Sequence, residues 1–377
     1  MRLESINGFA LTIPFKSAFR HASAERAATQ TLWVTARAGG QTGYGEGCPR
    51  EYVTGESLQS AAAFCAAHHR EWCAFIRDLG SLRSWAARHA GDIERNPAAW
   101  AAVELALLDV LAKNESMSVE SLLGLPQLTG RFRYTAVLGD AQPAHFAAQL
   151  AHYLKAGFRD FKIKLAGDGP RDRAKVQALV DAGIAGDAVR ADANNLWSSA
   201  ADAIETLESL DFRFRAIEEP LHAGDYDGMA RIASALETKI ILDESVLRAG
   251  QLAYLGDTSE CWIVNLRVSK MGGVLRSLEL VPELRKRRIG MIVGAHVGET
   301  SLLTRAALTV ANAARDILIA QEGAFGTHLL ARDVADPPLM FGPGGVLDVA
   351  ATSLRGAGWG LATDAAASDL TELPRAG

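Results

Sequence analysis

Between about residues 135 and 323 the chain repeats one unit: a short apolar run, a turn, then a helix-like segment. The apolar runs read "TAVLG", "DFKIKL", "AVRADAN", "FRAIEEP", "KIILDES", "WIVNLRVS", "GMIVGAHV" and "DILIAQEG". "RDRAKVQALVDAG", "SSAADAIETLESL" and "GGVLRSLELVPELRKRRIG" are the clearest helical segments between them. From the second run onward each ends near a polar residue. These are Lys164, Asp192, Glu218, Asp243, Arg267, His296 and Glu322, at steps of 28, 26, 25, 24, 29 and 26 residues. One strand, one helix and two loops consume a step of that length. Strands alternating with helices take right-handed crossovers and make a parallel sheet. Eight of them predict a closed α/β barrel, whose functional side chains gather at the C-terminal strand ends. All seven polar residues fall there.

The flanks differ. "RLESINGFALTI" and "QTLWVTARAGGQTGYGEG" predict strands, the second stretch turning at Gly39-Gly40. Ala-rich helices follow over about 54–91, and "NPAAWAAVELALLDVLAKN" places Pro97 in a first helical turn. We expect an α+β domain over 1–130, the barrel over 131–334, and a Pro- and Gly-rich segment over 335–377 that returns to the first domain. The tail "GLATDAAASDLTELPRAG" is expected to be frayed or peripheral. With 377 residues, 49% hydrophobic and 22% charged, and a net charge of −5 spread over both signs, the chain has a globular composition. It has no nucleic-acid footprint and no polybasic membrane patch. No apolar run reaches the length of a membrane span, and the N-terminus lacks a signal-peptide pattern, so a cytoplasmic location is expected. Cys48, Cys65, Cys73 and Cys261 show no CxxC spacing, which predicts reduced thiols.

The polar residues carry a specific chemistry. In "VRADAN" alternation puts Arg190, Asp192 and Asn194 on one face. Glu218 and Asp243 end the next two runs. Any one of these acids reads as a strand end or a helix cap. Three converging on one mouth repel unless a cation sits between them, and an all-oxygen set suits a hard divalent ion, Mg²⁺ or Mn²⁺. "FKIKLAG" aims Lys162 and Lys164 to one face of a strand that should be building a core. Two adjacent ammonium groups and partial burial disfavour protonation. That suits Lys164, nearer the strand end, as a general base, with Lys162 charged and facing an anionic substrate. A lysine base beside a divalent metal suits removal of a proton α to a carboxylate.

The ordered set KxK (Lys162, Lys164), "ADANN", "IEEP", "LDES" and "KMGG" resembles the enolase superfamily, nearest its muconate-lactonising and mandelate-racemase-like groups. "VELALLDVLAK", "SLLGLP", "EGAFGTHLL" and "PLMFGPGGVLDV" extend the resemblance over nearly the whole chain. It implies a modified TIM barrel, (β/α)₇β, with an N-terminal α+β capping domain. It also implies Mg²⁺ on Asp192, Glu218 and Asp243, Lys164 as a base, a small carboxylate substrate and a homo-oligomer. Loops near 15–30 and 50–55 would close over the substrate, making His21, Arg26 and Tyr52, with Asn194, candidate contacts.

One position departs from the family. Its second lysine stands five residues before the paired glycines, where this chain has Arg267. Alternation agrees, placing Arg267 inward and Lys270 outside the barrel. Arginine stays protonated, so Arg267 is a poor base and a sound electrostatic partner. His296 resembles the base of mandelate racemase, while Glu322 is placed to bond an oxyanion or orient Lys164. Glu219 and Glu244 should point away. With one lysine, a β-elimination or cycloisomerisation is the first expectation. A racemase or epimerase using Lys164 and His296 is the alternative, and a Schiff-base aldolase on Lys164 or a non-catalytic binding protein the remote ones. A dipeptide epimerase is disfavoured, because the eighth strand reads "QEGAF" in place of the DxD that such enzymes use for the substrate's ammonium group.

Overall fold

The repeat closes into a barrel. In a computed structural model that describes residues 1–21, 24–256, 259–363 and 365–373, eight strands lie side by side in chain order as one parallel sheet. They are Ala136–Leu138, Phe161–Lys164, Val189–Asp192, Ala216–Glu218, Lys239–Leu242, Trp262–Leu266, Gly290–Val293 and Leu318–Gln321, the first to eighth barrel strands. The ring is completed where Tyr134 bridges Gln321, with Thr135 N donating to Gln321 O at 2.8 Å. The fold is α/β, a modified TIM barrel preceded by a mixed α+β unit. Among the described residues six of the seven crossovers carry an α-helix. The fifth-to-sixth crossover is made of 3₁₀ turns, Ala249–Leu255 and Ser259–Cys261, where Gly250 and Gly256 weaken a longer helix.

Period two sorts the strands into an inner and an outer face. Ala216, Ile241, Ile263, Ile292 and Ala320 form a small apolar cluster of their own, separate from the main core. Arg190 lies fully buried, its Nη2 donating to Asp160 Oδ2 at 2.7 Å and its Nη1 to Glu322 Oε1 at 3.5 Å.

Before the barrel, Leu3–Leu11, Thr31–Ala38 and Gln41–Gly47 form an antiparallel sheet, and the C-terminal strand Leu370–Glu372 adds to its edge beside Leu3–Leu11. The tail is peripheral, at the sheet edge, but over Leu370–Glu372 it is paired where fraying was the other expectation: Leu370 falls opposite Leu11, and backbone hydrogen bonds hold the segment. Gly39 and Gly40, at φ +57° and +75°, make the tight hairpin turn that the sequence predicts. The helix Pro97–Asn114 is buried almost all round and lies on Gln41–Gly47. The approach is so close that a Cβ at Gly45 would stand 1.8 Å from Ala102 O, with Gly43 and Gly47 similarly placed on Ala106 O and Ala98 O. Glycine alternating on the strand meets alanine every fourth residue on the helix. Among the described residues no helix is long and apolar enough to cross a membrane.

Candidate active site

Strand register sets the site. Lys164 is paired across the sheet with Asp192, and Asp192 with Glu218, so three charged residues share one rung. Asp243, Arg267 and Glu322 each follow directly on the end of their own strand. The two inward lysines of "FKIK" each find acids. Lys162 Nζ donates to Glu218 Oε2 at 2.9 Å and Glu322 Oε2 at 2.7 Å, with Asp192 Oδ2 at 3.7 Å. Lys164 Nζ donates to Asp192 Oδ2 at 2.8 Å and Asn194 Oδ1 at 2.7 Å. Asp243 takes Lys270 Nζ on Oδ1 at 2.8 Å and Arg267 Nη2 on Oδ2. Asn265 Nδ2 donates to the free oxygen of Glu218 at 2.8 Å.

Charge balance decides the protonation here. Burial raises the pKa of Asp243, but Arg267 and Lys270 outweigh it and hold the carboxyl below its ordinary range. Asp192 is likewise held low, burial being overcome by Lys164 and Lys162. Glu218 goes the other way: burial, with Asp192, Glu322 and Asp243 crowding it, outweighs Lys162 and pushes it up to about 7. Burial would lower Lys162, yet Glu218, Glu322 and Asp192 hold it above the ordinary lysine value. Arg267 is raised in the same way, Asp243 outweighing its burial.

His296 follows the seventh strand. Its side chain is buried, its Nδ1 lies 3.3 Å from Glu299 Oε1, and its Nε2 has no partner. Burial first, then Arg267 and Arg50, lower its pKa well below the ordinary value, so it is neutral. Glu299 accepts from His296 N at 2.7 Å, and burial pushes its carboxyl up to about 7.

A cavity of about 1120 Å³ brings these groups together. Lys162, Lys164, Asp192, Asn194, Arg267, His296, Glu322 and Tyr52 all line it. Glu218 and Asp243 stand behind that wall, against Lys162, Arg267 and Lys270. Arg26, whose Nη1 donates to Gln30 Oε1 at 2.7 Å, does not line the cavity. The side chain of His21 lies outside the described residues.

Several expectations are corrected. Lys270 is not outside the barrel: it is fully buried, with Nζ on Asp243 and on Asn265 O at 2.7 Å. Alternation fails because the sixth strand ends at Leu266 and Val268–Met271 is a helical turn. Glu322 binds Lys162 and Arg190, neither orienting Lys164 nor standing free for an oxyanion. Asn194 is a partner of Lys164, at φ +47° just past its strand. Lys162 faces carboxylates of the protein where an anionic substrate was expected. Glu219 does point away and braces the next strand end, accepting from Asp243 N at 2.6 Å and Ser245 N at 2.8 Å. Glu244 instead lines the cavity, where burial and then Asp243 raise its pKa well above the usual range. Asn265 and Glu299 were not singled out from the sequence, although "HVGE" places Glu299 three residues after His296.

The residues present fit a divalent cation by their donor chemistry: three buried carboxylates, oxygen only, on adjacent strands, with Glu218 driven toward neutrality by its acidic neighbours.

A family model described as enolase C-terminal domain-like matches residues 145–367. The chain is 30% identical to the L-Ala-D/L-Glu epimerase of Bacillus subtilis, over 81% of this chain and 83% of that one. It is also 30% identical to the L-Lys-D/L-Arg epimerase of Methylococcus capsulatus, over 87% and 90%. A crystal structure of the dipeptide epimerase of Cytophaga hutchinsonii, complexed with Mg and the dipeptide D-Ala-L-Val, superposes with a TM-score of 0.86 at 22% identity, covering 99% of both chains.

Proposed function

The chain belongs to the enolase C-terminal domain-like family, and from that premise we propose that it is a racemase or epimerase of a small carboxylic acid. It removes the proton α to the carboxylate on one face and returns one on the other. The observation that carries this reading is the placement of Lys164 and His296 on a single cavity. Their strands, the second and seventh, stand three apart around a closed ring of eight, which supports their serving opposite faces of a bound acid. Lys164 takes the proton from one face. His296, neutral and with Nε2 unpartnered, serves the other. Arg267 stays protonated and so cannot serve as a base; it supplies fixed positive charge at the same cavity.

Asp192, Glu218 and Asp243 would hold Mg²⁺, or Mn²⁺ in its place. When bound, the ion supplies Lewis-acid stabilisation of charge on the substrate's carboxylate. With Lys164 a neutral amine ready to take a proton, Lys162, Arg267 and Lys270 fall one charge short of Asp192, Glu218, Asp243 and Glu322. A divalent ion turns that deficit into a surplus of one, which calls for a ligand that is an anion at rest; once Lys164 carries its α-proton, a dianion is matched. A carboxylate meets that requirement.

The eighth strand end limits the substrate. Glu322 is engaged, and a Cβ at Gly323, φ +100°, would stand 2.5 Å from Ala295 Cβ, so no acidic side chain fits there to meet a substrate ammonium. The acid should carry no free ammonium at that end. Arg267 supports a second reading, a one-face elimination with the cation steadying the intermediate.

Exchange of the α-proton in D₂O separates the readings, using both enantiomers of a panel of dipeptides, N-acyl amino acids and hydroxy acids. The proposal expects exchange in both enantiomers, with Lys164→Ala abolishing it from one and His296→Ala from the other, each by about 10³-fold. Exchange confined to one enantiomer, with loss of a β-substituent, would replace it by the elimination. Exchange from no acid in the panel would overturn both.

A further inference from the structure

Outside the cavity at the barrel mouth, helices of the N-terminal unit bring together two imidazoles and two carboxylates that the proposed reaction does not use. His68 and Glu71 sit one turn apart on the helix Leu58–Phe75. His89 joins Leu79–Arg88 to Ala90–Arg95, and the second of these short helices carries Asp92. His89 Nε2 is 3.3 Å from Glu71 Oε1, and its Nδ1 is 3.3 Å from Asp92 Oδ2. His68 Nδ1 is 3.7 Å from Glu71 Oε2. One ligand atom from each of His68, His89 and Asp92 lies within 4.8 Å of the other two. Four ligands at about 2.0–2.1 Å around a tetrahedral Zn²⁺ stand roughly 3.3 Å apart. The three donor atoms, within 4.8 Å of one another, need only small side-chain rotations to reach that spacing.

The rings are also held in place. His89 stacks on Trp85 at 4.1 Å and 12°, and His68 meets Trp85 edge-on at 5.3 Å and Phe64 at 4.9 Å. The side chains remain 19–41% exposed, so an ion can reach them. Arg95 engages Asp92 Oδ1, leaving Oδ2 toward His89. Two imidazoles exclude the hard ions Mg²⁺ and Ca²⁺ and favour a borderline metal.

We propose that His68, His89 and Asp92, with water as the fourth ligand, form a Zn²⁺ site that clamps the helix Leu58–Phe75 to the turn following Leu79–Arg88. The alternative is an imidazole–carboxylate network with no affinity for metal.

The test uses the untagged full-length protein with its barrel site saturated by Mg²⁺, so that its outcome is independent of the proposed reaction. Co²⁺ is titrated as a spectroscopic stand-in, then displaced by Zn²⁺. One equivalent of Co²⁺ should give the intense visible absorption of a tetrahedral site and be displaced by one equivalent of Zn²⁺. At free Zn²⁺ about 100-fold above its Kd, the Tm should rise by about 3 °C. His68→Gln/Asp92→Asn should lose both effects while keeping the metal-free Tm and α-proton exchange. His89→Phe, which keeps a ring on Trp85 and removes both nitrogens, should lose them too. Octahedral Co²⁺ spectra in the wild type, or unchanged Co²⁺ binding in both variants, would overturn the site.

Discussion

Among the places where carboxylates are buried in this molecule, two differ instructively in their partners. At the barrel mouth Asp192, Glu218 and Asp243 face Lys162, Lys164, Arg267 and Lys270. At the seam between the N-terminal unit and the barrel, the partners are backbone N–H groups and a hydroxyl. Glu104, on the helix Pro97–Asn114, accepts from Leu275 N at 3.0 Å. Glu46 accepts from Thr300 N at 3.2 Å and from its Oγ1 at 2.5 Å. Burial pushes both seam acids up to about 8, against the weaker pull of those donors. At the mouth, cations hold Asp192 and Asp243 ionised, ready to meet a charged ligand; at the seam, Glu104 and Glu46, with only neutral donors, hold their protons and join two parts of the fold. Between these two places, partner type separates the reactive acids from the cohesive ones. Burial does not.

Removing a cation from the mouth should have the largest effect. Lys162→Met leaves Glu218 and Glu322 without their shared ammonium, an uncompensated buried charge that costs about 3–5 kcal/mol. Urea unfolding should show that loss, and α-proton exchange should fall by at least about 10³-fold. A stable, active variant would erase the distinction between mouth and seam.

The matching change at the seam should be milder and visible mainly as pH dependence. Glu104 has a folded pKa of about 8 against an ordinary 4.5. The folded state therefore binds the extra proton between those values, and stability falls as pH rises from about 4.5 to 8. The full contribution is on the order of 5 kcal/mol as an upper limit. Glu104→Gln copies the neutral acid, so it should cost less than about 1 kcal/mol near pH 5 and flatten the decline of Tm toward pH 9. A variant as pH-sensitive as the wild type would shift the cause to Glu46.

Sequence alone revealed the barrel and its acids because both are periodic. A regular step of strand and helix, with a charged residue closing each step, survives any uncertainty about loops. Alternation failed where strands stop. It put Lys270 outside, although a helical turn begins at Val268 and swings that side chain under Asp243. It turned Glu244 away, although the chain bends into the cavity after Leu242. It also could not tell which acid each lysine would choose. Lys162 and Lys164 are two residues apart, yet one reaches across to Glu322, 160 residues on, and the other to its neighbour Asp192. Those choices depend on closure of the ring, a long-range event that no local pattern records.

Glu299 lies between the two classes of acid and gives the smallest effect. It is a seam-type acid by its donor, His296 N, and a mouth-type acid by its contact with the His296 ring. Its pKa of about 7, raised by burial, makes it neutral in mild acid and ionised above neutrality. Ionised, it accepts from Nδ1–H, which fixes the tautomer with a free lone pair on Nε2. Exchange on the His296 face should therefore rise as pH passes through about 7, while exchange on the Lys164 face should not follow the same step. Glu299→Gln keeps an acceptor for His296 N and cannot ionise. We expect it to lower exchange on the His296 face about 10-fold above pH 8, leave KM nearly unchanged, and remove the step at pH 7. A step that persists in the variant would place the titrating group elsewhere and leave Glu299 with the cohesive acids of the seam.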